Sequence, residues 1–500
     1  MFELLPFGPG AWLVIALYLA SLLVIGWFSF RARKENSLQD FYLAGPGFGL
    51  FVLVLTLYAT QYSGNSFFGF TGMTYRTGYS WIMSVHFMLA IIVFYLIYAI
   101  KLHALSRNRG YITPVDFLHD RFDSKAINLI AAVIMVIALS NFLLAQLMAM
   151  GRAMQGLAGE HGDVAYDYGV IVLALIMVIY GTLGGLRAVA WTDVIQGGVL
   201  MLGFLLLFAV LFQKFGALSL ATEKILSSSD PDMVNKVMPP DAARMREWLS
   251  YILIVGMGGA LYPQAIQRIY AARTETVLRQ SLAVMAFLPF ITVFIAVITG
   301  IYAIAYIPGL DGAASDQVLT RLFRLVQQDS VFGYWLVVIL FAAVLSAMMS
   351  TADSALLSIS SILTKDIYGK YLKKNASQAQ MTRLGKICSW FLIIVLIALA
   401  IFLKEGVSLV KLLDRKFDIL VQLVPAFMIG IRWVNLKAQP TLLGLVAGLI
   451  ISLTLVFTVG GKIWGFHPGL YGLLVNITIA VMGSFYINNR SATKGMEKNI

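Results

Sequence analysis

Residues 345–361 read LSAMMSTADSALLSISS, and this polar stretch lies inside one long apolar segment. The run YWLVVILFAAV (334–344) precedes it and ILTKDIYGKYLKK (362–374) follows it, so the pattern predicts a single long membrane helix. Hydroxyls and a carboxylate are costly in hydrocarbon unless the protein itself uses them. The stretch therefore indicates that this helix carries a site and is not a plain membrane anchor.

Serines recur every three or four residues on this helix and form one stripe: Ser346, Ser350, Ser354, Ser358 and Ser361. Thr351 and Asp353 flank the stripe. Hydroxyls beside one carboxylate suit a small hard cation, because such ions prefer oxygen ligands, and the neutral oxygens favour Na+. The alternative is a packing stripe hydrogen-bonded across helices. Asp353 favours the site, because intramembrane carboxylates are usually functional.

The composition of the chain indicates a polytopic membrane protein. Of its 500 residues, 59% are hydrophobic and 12% are charged. We expect one transmembrane domain over 1–500, with a short cytoplasmic tail at 488–500 and no soluble domain. The single cysteine, Cys388, excludes an intrachain disulfide. We interpret the net charge of +12 as basic loops that orient the protein in a membrane, and we expect no nucleic-acid partner.

We predict an all-α polytopic membrane protein with about 13 transmembrane helices. They lie near 11–30, 48–71, 79–102, 126–150, 168–186, 192–214, 248–271, 280–306, 333–364, 384–403, 408–431, 440–459 and 469–487. The first is expected to be a retained helix, because no basic start and no small-residue cleavage site accompany it. Basic residues concentrate in alternate loops, which predicts an external N-terminus and a cytoplasmic C-terminus in the plasma (inner) membrane.

Two of these helices have centres that disfavour a continuous helix. The second contains ATQYSGNS (59–66), and the seventh contains VGMGGALYPQAIQR (255–268) with Pro263. Non-helical backbone at membrane depth is tolerated where it lines a site or a cavity. The two lie five helices apart, as inverted five-helix repeats require. The alternative for each is packing glycines and a simple proline kink.

Two further groups of charged residues remain open to two interpretations. Asp193, in GTLGGLRAVAWTDVIQ (181–196), either caps the sixth helix or belongs to a site. A second group crowds the eleventh helix and either forms an external rim or contacts a solute: Lys411, Asp414, Arg415, Lys416 and Asp418.

GGLRAVAWTDVIQ (184–196) together with SAMMSTADSALLSISSILTKDIY (346–368) resembles the sodium:solute symporter family, and FYLAGPGFGL (41–50) and ATQYSGNSFFG (59–69) resemble its second-helix region. The resemblance implies a leucine-transporter-like fold with two inverted five-helix repeats, helices 2–6 and 7–11. It implies a sodium-coupled symporter that imports a small organic solute by alternating access. Such a protein is a secondary active transporter and not an enzyme.

The resemblance also implies particular ion ligands, with Na+ as the coupling ion. The main Na+ site would use the carbonyls of Ala59, Tyr62 and Ala347 and the hydroxyls of Ser350 and Thr351. Some family members have a second Na+ site, whose residues match Asp193, Asp353 and Ser354. Asp353 stands where some members have serine, which leaves the Na+ stoichiometry open. Gln61 stands where sodium/proline members carry an aspartate, which argues against proline as the solute.

The solute pocket of this fold lies beside both broken helices. Its candidate residues are Gln61, Ser63, Asn65, Ser66, Tyr262 and Gln264. These neutral hydrogen-bonding groups suit a monocarboxylate, an amino acid or a vitamin-like acid, whose carboxylate would dock at a half-helix N-terminus. The expected partners are this solute, Na+ and the lipid bilayer, and we expect a monomer.

Three alternatives accompany this interpretation. A proton-coupled symporter is favoured if Asp353 titrates near neutral pH. A non-transporting solute sensor of the same fold usually carries a signalling domain, for which the tail NNRSATKGMEKNI (488–500) is short. A membrane enzyme would need a convergent acid–base set, and Asp193 and Asp353 have no histidine or metal-binding pattern to support them.

Overall fold

The structure is a computed structural model that describes residues 7–33, 35, 37–45, 47–155, 162–310, 315, 318–404 and 409–497, without the side chains of 65–67, 409–413 and 491–497. Its α-helices in chain order are α1 (Pro9–Arg31), α2 (Leu38–Leu43), α3 (Leu50–Gln61), α4 (Gly64–Thr77), α5 (Met83–Arg109), α6 (Pro114–Phe122), α7 (Lys125–Gln155), α8 (Gly162–Gly184), α9 (Leu186–Phe215), α10 (Leu218–Leu226), α11 (Pro231–Asn235), α12 (Ala242–Ala260), α13 (Pro263–Ala271), α14 (Glu275–Met285), α15 (Leu288–Tyr306), α16 (Val318–Asp329), α17 (Val331–Ser361), α18 (Gln378–Phe402), α19 (Leu409–Leu420), α20 (Gly430–Arg432), α21 (Ala438–Thr458) and α22 (Pro468–Glu497).

Within the described chain, 10 helices or continuous helix pairs are long and apolar enough to cross a membrane. They are Pro9–Arg31, Phe68–Arg109, Lys125–Gln155, Gly162–Gly184, Leu186–Phe215, Glu275–Tyr306, Val331–Leu372, Gln378–Phe402, Ala438–Thr458 and Pro468–Arg490. Each coincides with one predicted helix, so the all-α, multi-pass architecture is confirmed. The count of about 13 is not confirmed, because the other three predicted helices are interrupted.

The first interruption separates α3 from α4. Tyr62 has extended backbone angles (φ −103°, ψ 105°), and α4 begins at Gly64. The start of α4 lies so close to α17 that a Cβ atom on Gly64 would come within 2.6 Å of the Met348 side chain. The predicted break in ATQYSGNS is therefore confirmed, and its glycine permits the close approach to α17.

The second interruption separates α12 from α13 by a bend of 52°. Leu261 and Tyr262 link the two helices, and Pro263 is the first residue of α13. A proline is tolerated there because its missing N–H is one that a helix start leaves unpaired. The third predicted span, 408–431, consists of α19, a 3₁₀ turn (Val421–Leu423) and a π-helical segment (Pro425–Ile429).

The polar stretch 345–361 lies in the centre of the bundle. Every residue from Leu340 to Ser361 is buried, and α17 packs against α3, α7, α9 and α13. In the most apolar window of Val331–Leu372, 72% of the residues are buried, against 22% in Pro9–Arg31. The hydroxyls of α17 therefore face protein, whereas α1 presents most of its surface to lipid.

We expect Gly185→Ala to destabilise the fold. Gly185 precedes α9 with φ +61°, and an added Cβ atom would lie 2.2 Å from the carbonyl oxygen of Phe41. Backbone strain of this kind costs about 1–3 kcal/mol. Thermal unfolding of the purified protein in detergent should show a lower Tm.

Gly181→Ala is the matched control for this prediction. Gly181 lies within α8, and a Cβ atom added there would have no described atom within 4 Å apart from its chain neighbours and the adjacent backbone of its own helix. Alanine is a better helix former than glycine, so the Tm should stay constant or rise slightly. An equal loss of Tm in both variants would contradict the prediction.

Candidate functional site

Asp193 is a fully buried acid at which four helices meet. Its Oδ2 accepts hydrogen bonds from Thr56 on α3 and from Nη2 of Arg268 on α13, the latter at 2.8 Å. Its Oδ1 accepts from Ser350 on α17 at 2.7 Å. The helix-cap interpretation of Asp193 is wrong, because α9 begins earlier in the chain, at Leu186.

Arg268 supplies the counter-charge, and it too is fully buried. Its Nε donates to Thr56 at 2.7 Å and its Nη2 donates to Ser354 at 2.6 Å, while Nη1 donates to the carbonyl oxygen of Gln264 at 3.0 Å. Sequence reasoning assigned Arg268 no role, because its acid lies 75 residues away. A buried arginine in a membrane helix needs an internal acid, and that requirement was the available signal.

Asp353 lies beside this pair and is also buried. Its Oδ2 accepts from the hydroxyl of Tyr180 on α8 at 2.5 Å, and its Oδ1 lies 3.2 Å from Ser354 Oγ. Ser354 in turn accepts from Arg268. The structure thus brings together Asp193, Asp353 and Ser354, the residues predicted for a second Na+ site, with a guanidinium among them.

Three of the predicted ligands of the main Na+ site, Ala59, Ala347 and Thr351, meet where α3 breaks beside α17. Thr351 Oγ1 lies 3.3 Å from the carbonyl oxygen of Ala59 and 3.0 Å from that of Ala347. Tyr62 is the first residue beyond α3, and Ser350 directs its hydroxyl to Asp193. These donors are all neutral oxygens, a set that suits a monovalent hard cation.

The ends of the serine stripe make hydrogen bonds between helices. Ser346 donates to Tyr18 on α1 at 2.7 Å. Ser358 donates to the side chain of Gln267 on α13, and that side chain donates to Ser361 at 2.9 Å. The packing interpretation therefore describes the two ends of the stripe, and the ion-site residues lie in its centre.

A cavity lies beside both broken helices, with an empty volume of about 700 Å³ including its opening to solvent. Its wall is mainly apolar and aromatic, with Phe70, Met73, Trp81, Phe87, Met88, Ile91, Phe142, Tyr251, Val255, Tyr262 and Phe417. Its polar side chains are Gln61, Ser63, Asp414 and Lys416. The predicted substrate residues Gln61, Ser63 and Tyr262 are therefore part of this wall.

The remaining predicted substrate residues differ in their positions. Gln264 is fully buried and does not line the cavity, and neither polar atom of its side chain has a hydrogen-bond partner among the described residues. Asn65 and Ser66 belong to α4, but their side chains lie outside the described part. Gln61 donates to Tyr95 at 2.7 Å, and within the described chain its Oε1 has no partner.

The charged group on α19 divides into two parts. Arg415 pairs with Asp418 at 3.6 Å, and Asp418 accepts from the backbone N–H of Gly469 at 2.7 Å. Asp414 and Lys416 line the cavity instead. The side chain of Lys411 lies outside the described residues. Mutual pairing thus describes Arg415 and Asp418, whereas contact of Asp414 and Lys416 with a solute stays a prediction.

Ion pairs tie helices together beyond the C-terminal end of α17. Asp116 on α6 accepts from Lys365 and lies 3.5 Å from Nζ of Lys370. Burial alone would raise the pKa of Asp116, but the two ammonium groups hold this pKa below its ordinary value. Arg187 on α9 similarly pairs with Asp40 on α2 at 2.6 Å.

A bundle of broken helices around an oxygen-lined site and an adjacent cavity is the architecture of a secondary transporter. A solved structure of a Na+-coupled sialic acid symporter in a substrate-bound outward-open state has a TM-score of 0.78 at 20% identity, covering 96% of this chain and 98% of that one. A nucleobase-cation-symport-1 family transporter in a closed conformation has a TM-score of 0.56 at 14% identity, covering 91% and 95%. These likenesses show the fold.

The model of the sodium:solute symporter family matches residues 41–448, and the chain belongs to this family. Similar proteins include the sodium/pantothenate symporter of Haemophilus influenzae, 26% identical over 98% of both chains. The osmoregulated proline transporter OpuE of Bacillus subtilis is 23% identical, over 94% of this chain and 93% of its own. The family makes this protein a secondary transporter with Na+ as coupling ion, and not an enzyme.

We expect Arg268→Met to destabilise the protein by about 3–5 kcal/mol, because it leaves Asp193 as an unpaired buried charge. Arg268→Met combined with Asp193→Asn should recover much of this loss, since position 193 then carries no unpaired charge. Chemical and thermal unfolding of both variants in detergent measure the difference.

The control for this prediction is Arg279→Met, which breaks the Arg279–Glu275 pair on α14. That pair has a 2.6 Å separation, and its arginine side chain is 61% exposed. Exposed pairs contribute at most about 1 kcal/mol. A double variant less stable than Arg268→Met alone would contradict the assigned pairing.

Proposed function

We propose that this protein imports a small organic solute together with Na+ by alternating access. The proposal includes a single transporter domain over 1–500, with about 13 spans and inverted repeats of helices 2–6 and 7–11. The observation that carries it is the shared end of α3. The carbonyl oxygen of Ala59 lies beside Thr351, and Gln61 on the same turn lines the cavity.

This shared end explains how ion and solute would be coupled. Na+ bound by Ala59, Tyr62, Ala347, Ser350 and Thr351 would hold the end of α3 against α17. Gln61 and Ser63 would then be fixed in the cavity wall, where they contact the solute. By linkage, bound solute would raise the affinity for Na+ by the same factor.

The driving force follows from the ion gradient. One Na+ entering down ~100 mV supplies about 2.3 kcal/mol. A roughly tenfold Na+ gradient adds about 1.4 kcal/mol. Together these energies would support the accumulation of an uncharged solute by roughly a few hundredfold per Na+.

The solute we propose is a monocarboxylate, an amino acid or a vitamin-like acid. The mostly apolar wall with a few polar groups supports a small molecule of this size and polarity. Gln61 in the wall still argues against proline, although relatives carry that solute in their names. We further propose a monomer in the plasma (inner) membrane, with no nucleic-acid partner.

Asp353 supports proton coupling as a second candidate. It is buried like Asp193, but only Asp193 pairs with the guanidinium of Arg268, and Asp353 is linked to that group through Ser354. One negative charge is left when both acids are ionised. Either a second Na+ at Asp193, Asp353 and Ser354 or a proton on Asp353 would balance that charge.

We expect Thr351→Val to weaken Na+ binding by roughly tenfold or more. Valine keeps the shape of the side chain but lacks the hydroxyl that would bind the ion. Ser350→Ala/Thr351→Ala should abolish the response. The measurement is a Na+ titration of intrinsic tryptophan fluorescence in liposomes, with K+ as the ionic-strength control.

Thr478→Val is the matched control, since Thr478 is exposed and its hydroxyl donates to the carbonyl oxygen of Leu474 on its own helix. A wild-type Na+ response that survives Ser350→Ala/Thr351→Ala would reject the main site. A pH response without Na+, lost in Asp353→Asn, would instead support proton coupling.

We expect the loop 227–230 to be external and the loop 373–377 to be cytoplasmic. In a Cys388→Ser background, Ser229→Cys should react with an impermeant maleimide on intact cells. Asn375→Cys should react only after permeabilisation. Both positions are exposed, so access to the reagent decides the outcome. The reverse pattern would overturn the proposed orientation.

A further inference from the structure

Lys416 is a buried cation in the wall of the cavity, with 2% of its surface exposed. Its Nζ lies 3.4 Å from the ring centre of Phe142, 4.8 Å from that of Phe417 and 5.0 Å from that of Tyr262. These rings come from α7, from α19 and from the break between α12 and α13. Lys416 makes no hydrogen bond or ion pair with any described residue.

Such an ammonium group is incompletely compensated. Contacts with aromatic faces return part of the free energy that a cation loses when it leaves water, but they provide no hydrogen-bond acceptor and no negative charge. The buried arginines of this protein are treated differently. Arg268 and Arg187 each pair with an aspartate at 2.8 Å or less. Among the described residues Lys416 has no such partner, and the cavity that it lines is large enough for a small molecule.

We propose that Lys416 binds the carboxylate of the transported solute, which makes it a specificity-determining residue of this cavity. The inference rests on the proposed function and assigns the carboxylate of its solute to Lys416, in place of the half-helix N-terminus expected from the sequence. A charge-assisted hydrogen bond to the ammonium would supply both the acceptor and the negative charge that the aromatic rings lack. The three rings hold the amine in place before the solute arrives.

The rest of the wall indicates the rest of the solute. Most of the lining is aromatic or aliphatic, which favours an apolar body. Gln61 adds one unpaired acceptor, because its Oε1 has no partner among the described residues. A hydroxyl or N–H group near the carboxylate would satisfy it. A hydroxy acid or an amino acid with an apolar side chain has this combination.

Asp414 distinguishes a hydroxy acid from an amino acid as the solute. It also lines the cavity, but it is only half-buried, and within the described chain it has no ion pair. The ammonium of an amino acid would pair with Asp414, whereas a hydroxy acid has no use for it. Lys416 is the more deeply buried of the two charged groups. Both kinds of solute therefore need a carboxylate to pair with it, and only the amino acid adds an amine.

The test uses the full chain in nanodiscs with saturating Na+. Trp81 lines the cavity, so its fluorescence reports occupancy, and Trp81→Phe identifies its signal among the nine tryptophans. The probes are 3-phenyllactate, phenylalanine and the neutral 3-phenyllactamide, with lactate, alanine and lactamide as smaller analogues. Wild type should bind a carboxylate probe roughly a hundredfold more tightly than the matched amide.

Variants then assign the preference to one residue. Lys416→Met keeps the length of the side chain and should remove the preference for carboxylate over amide, while Lys416→Arg should retain part of it. Lys214→Met, outside the cavity lining, should leave it unchanged. If the solute is an amino acid, Asp414→Asn should weaken the binding of phenylalanine and not that of 3-phenyllactate. If the solute is a hydroxy acid, this variant should weaken the binding of neither probe.

Three outcomes would overturn the inference. They are equal binding of acid and amide by wild type, an unchanged preference in Lys416→Met, and no binding of any carboxylate probe by wild type. The first comparison needs no variant, so it stands even if Lys416→Met does not fold. The Na+ response of wild type distinguishes failure of the proposed function from failure of the role of Lys416. If this response is absent, the proposed function is rejected. If it is present without a preference for carboxylate, only the role of Lys416 is rejected.

Discussion

A carboxylate buried at membrane depth has to be neutralised and hydrogen-bonded by the protein, and the centre of this bundle is organised around that requirement. Asp193 on α9 accepts hydrogen bonds from Thr56 on α3, Arg268 on α13 and Ser350 on α17. Each partner belongs to a different helix. The position of the acid therefore fixes where the two broken helices approach α17, and the candidate ion site is adjacent to that point.

Helix α3 connects this charged centre to the cavity over less than two turns. Thr56 donates to Asp193, the carbonyl oxygen of Ala59 lies beside Thr351, and Gln61 lines the cavity. A displacement of α3 relative to α17 would change all three contacts together. Because one short, broken helix carries the three contacts, a cation and a solute that each favour the same position of α3 would favour one another.

The parts of the fold that depend on local sequence were predictable. Ten spans follow from hydropathy, and the breaks at Gly64 and Pro263 follow from residues that interrupt helical hydrogen bonding. The pairing of Arg268 with Asp193 was not predictable, because it depends on how distant helices pack. The same holds for Lys416. Its sequence neighbours suggest a network of ion pairs, but its surroundings are rings from separate helices.

The charges of the two sites also constrain one another. At the ion site, two acids and the guanidinium of Arg268 leave one negative charge when both acids are ionised. At the cavity, Lys416 lies among aromatic rings, and Asp414 lines the same wall without an ion pair to it. A monoanionic hydroxy acid carried with a single Na+ moves no net charge, so the membrane potential would not drive that cycle, whereas a zwitterionic amino acid carried with one Na+ moves one charge. A second cation at Asp193, Asp353 and Ser354 would restore the dependence on potential. The charge of the solute and the number of coupled cations are therefore one question.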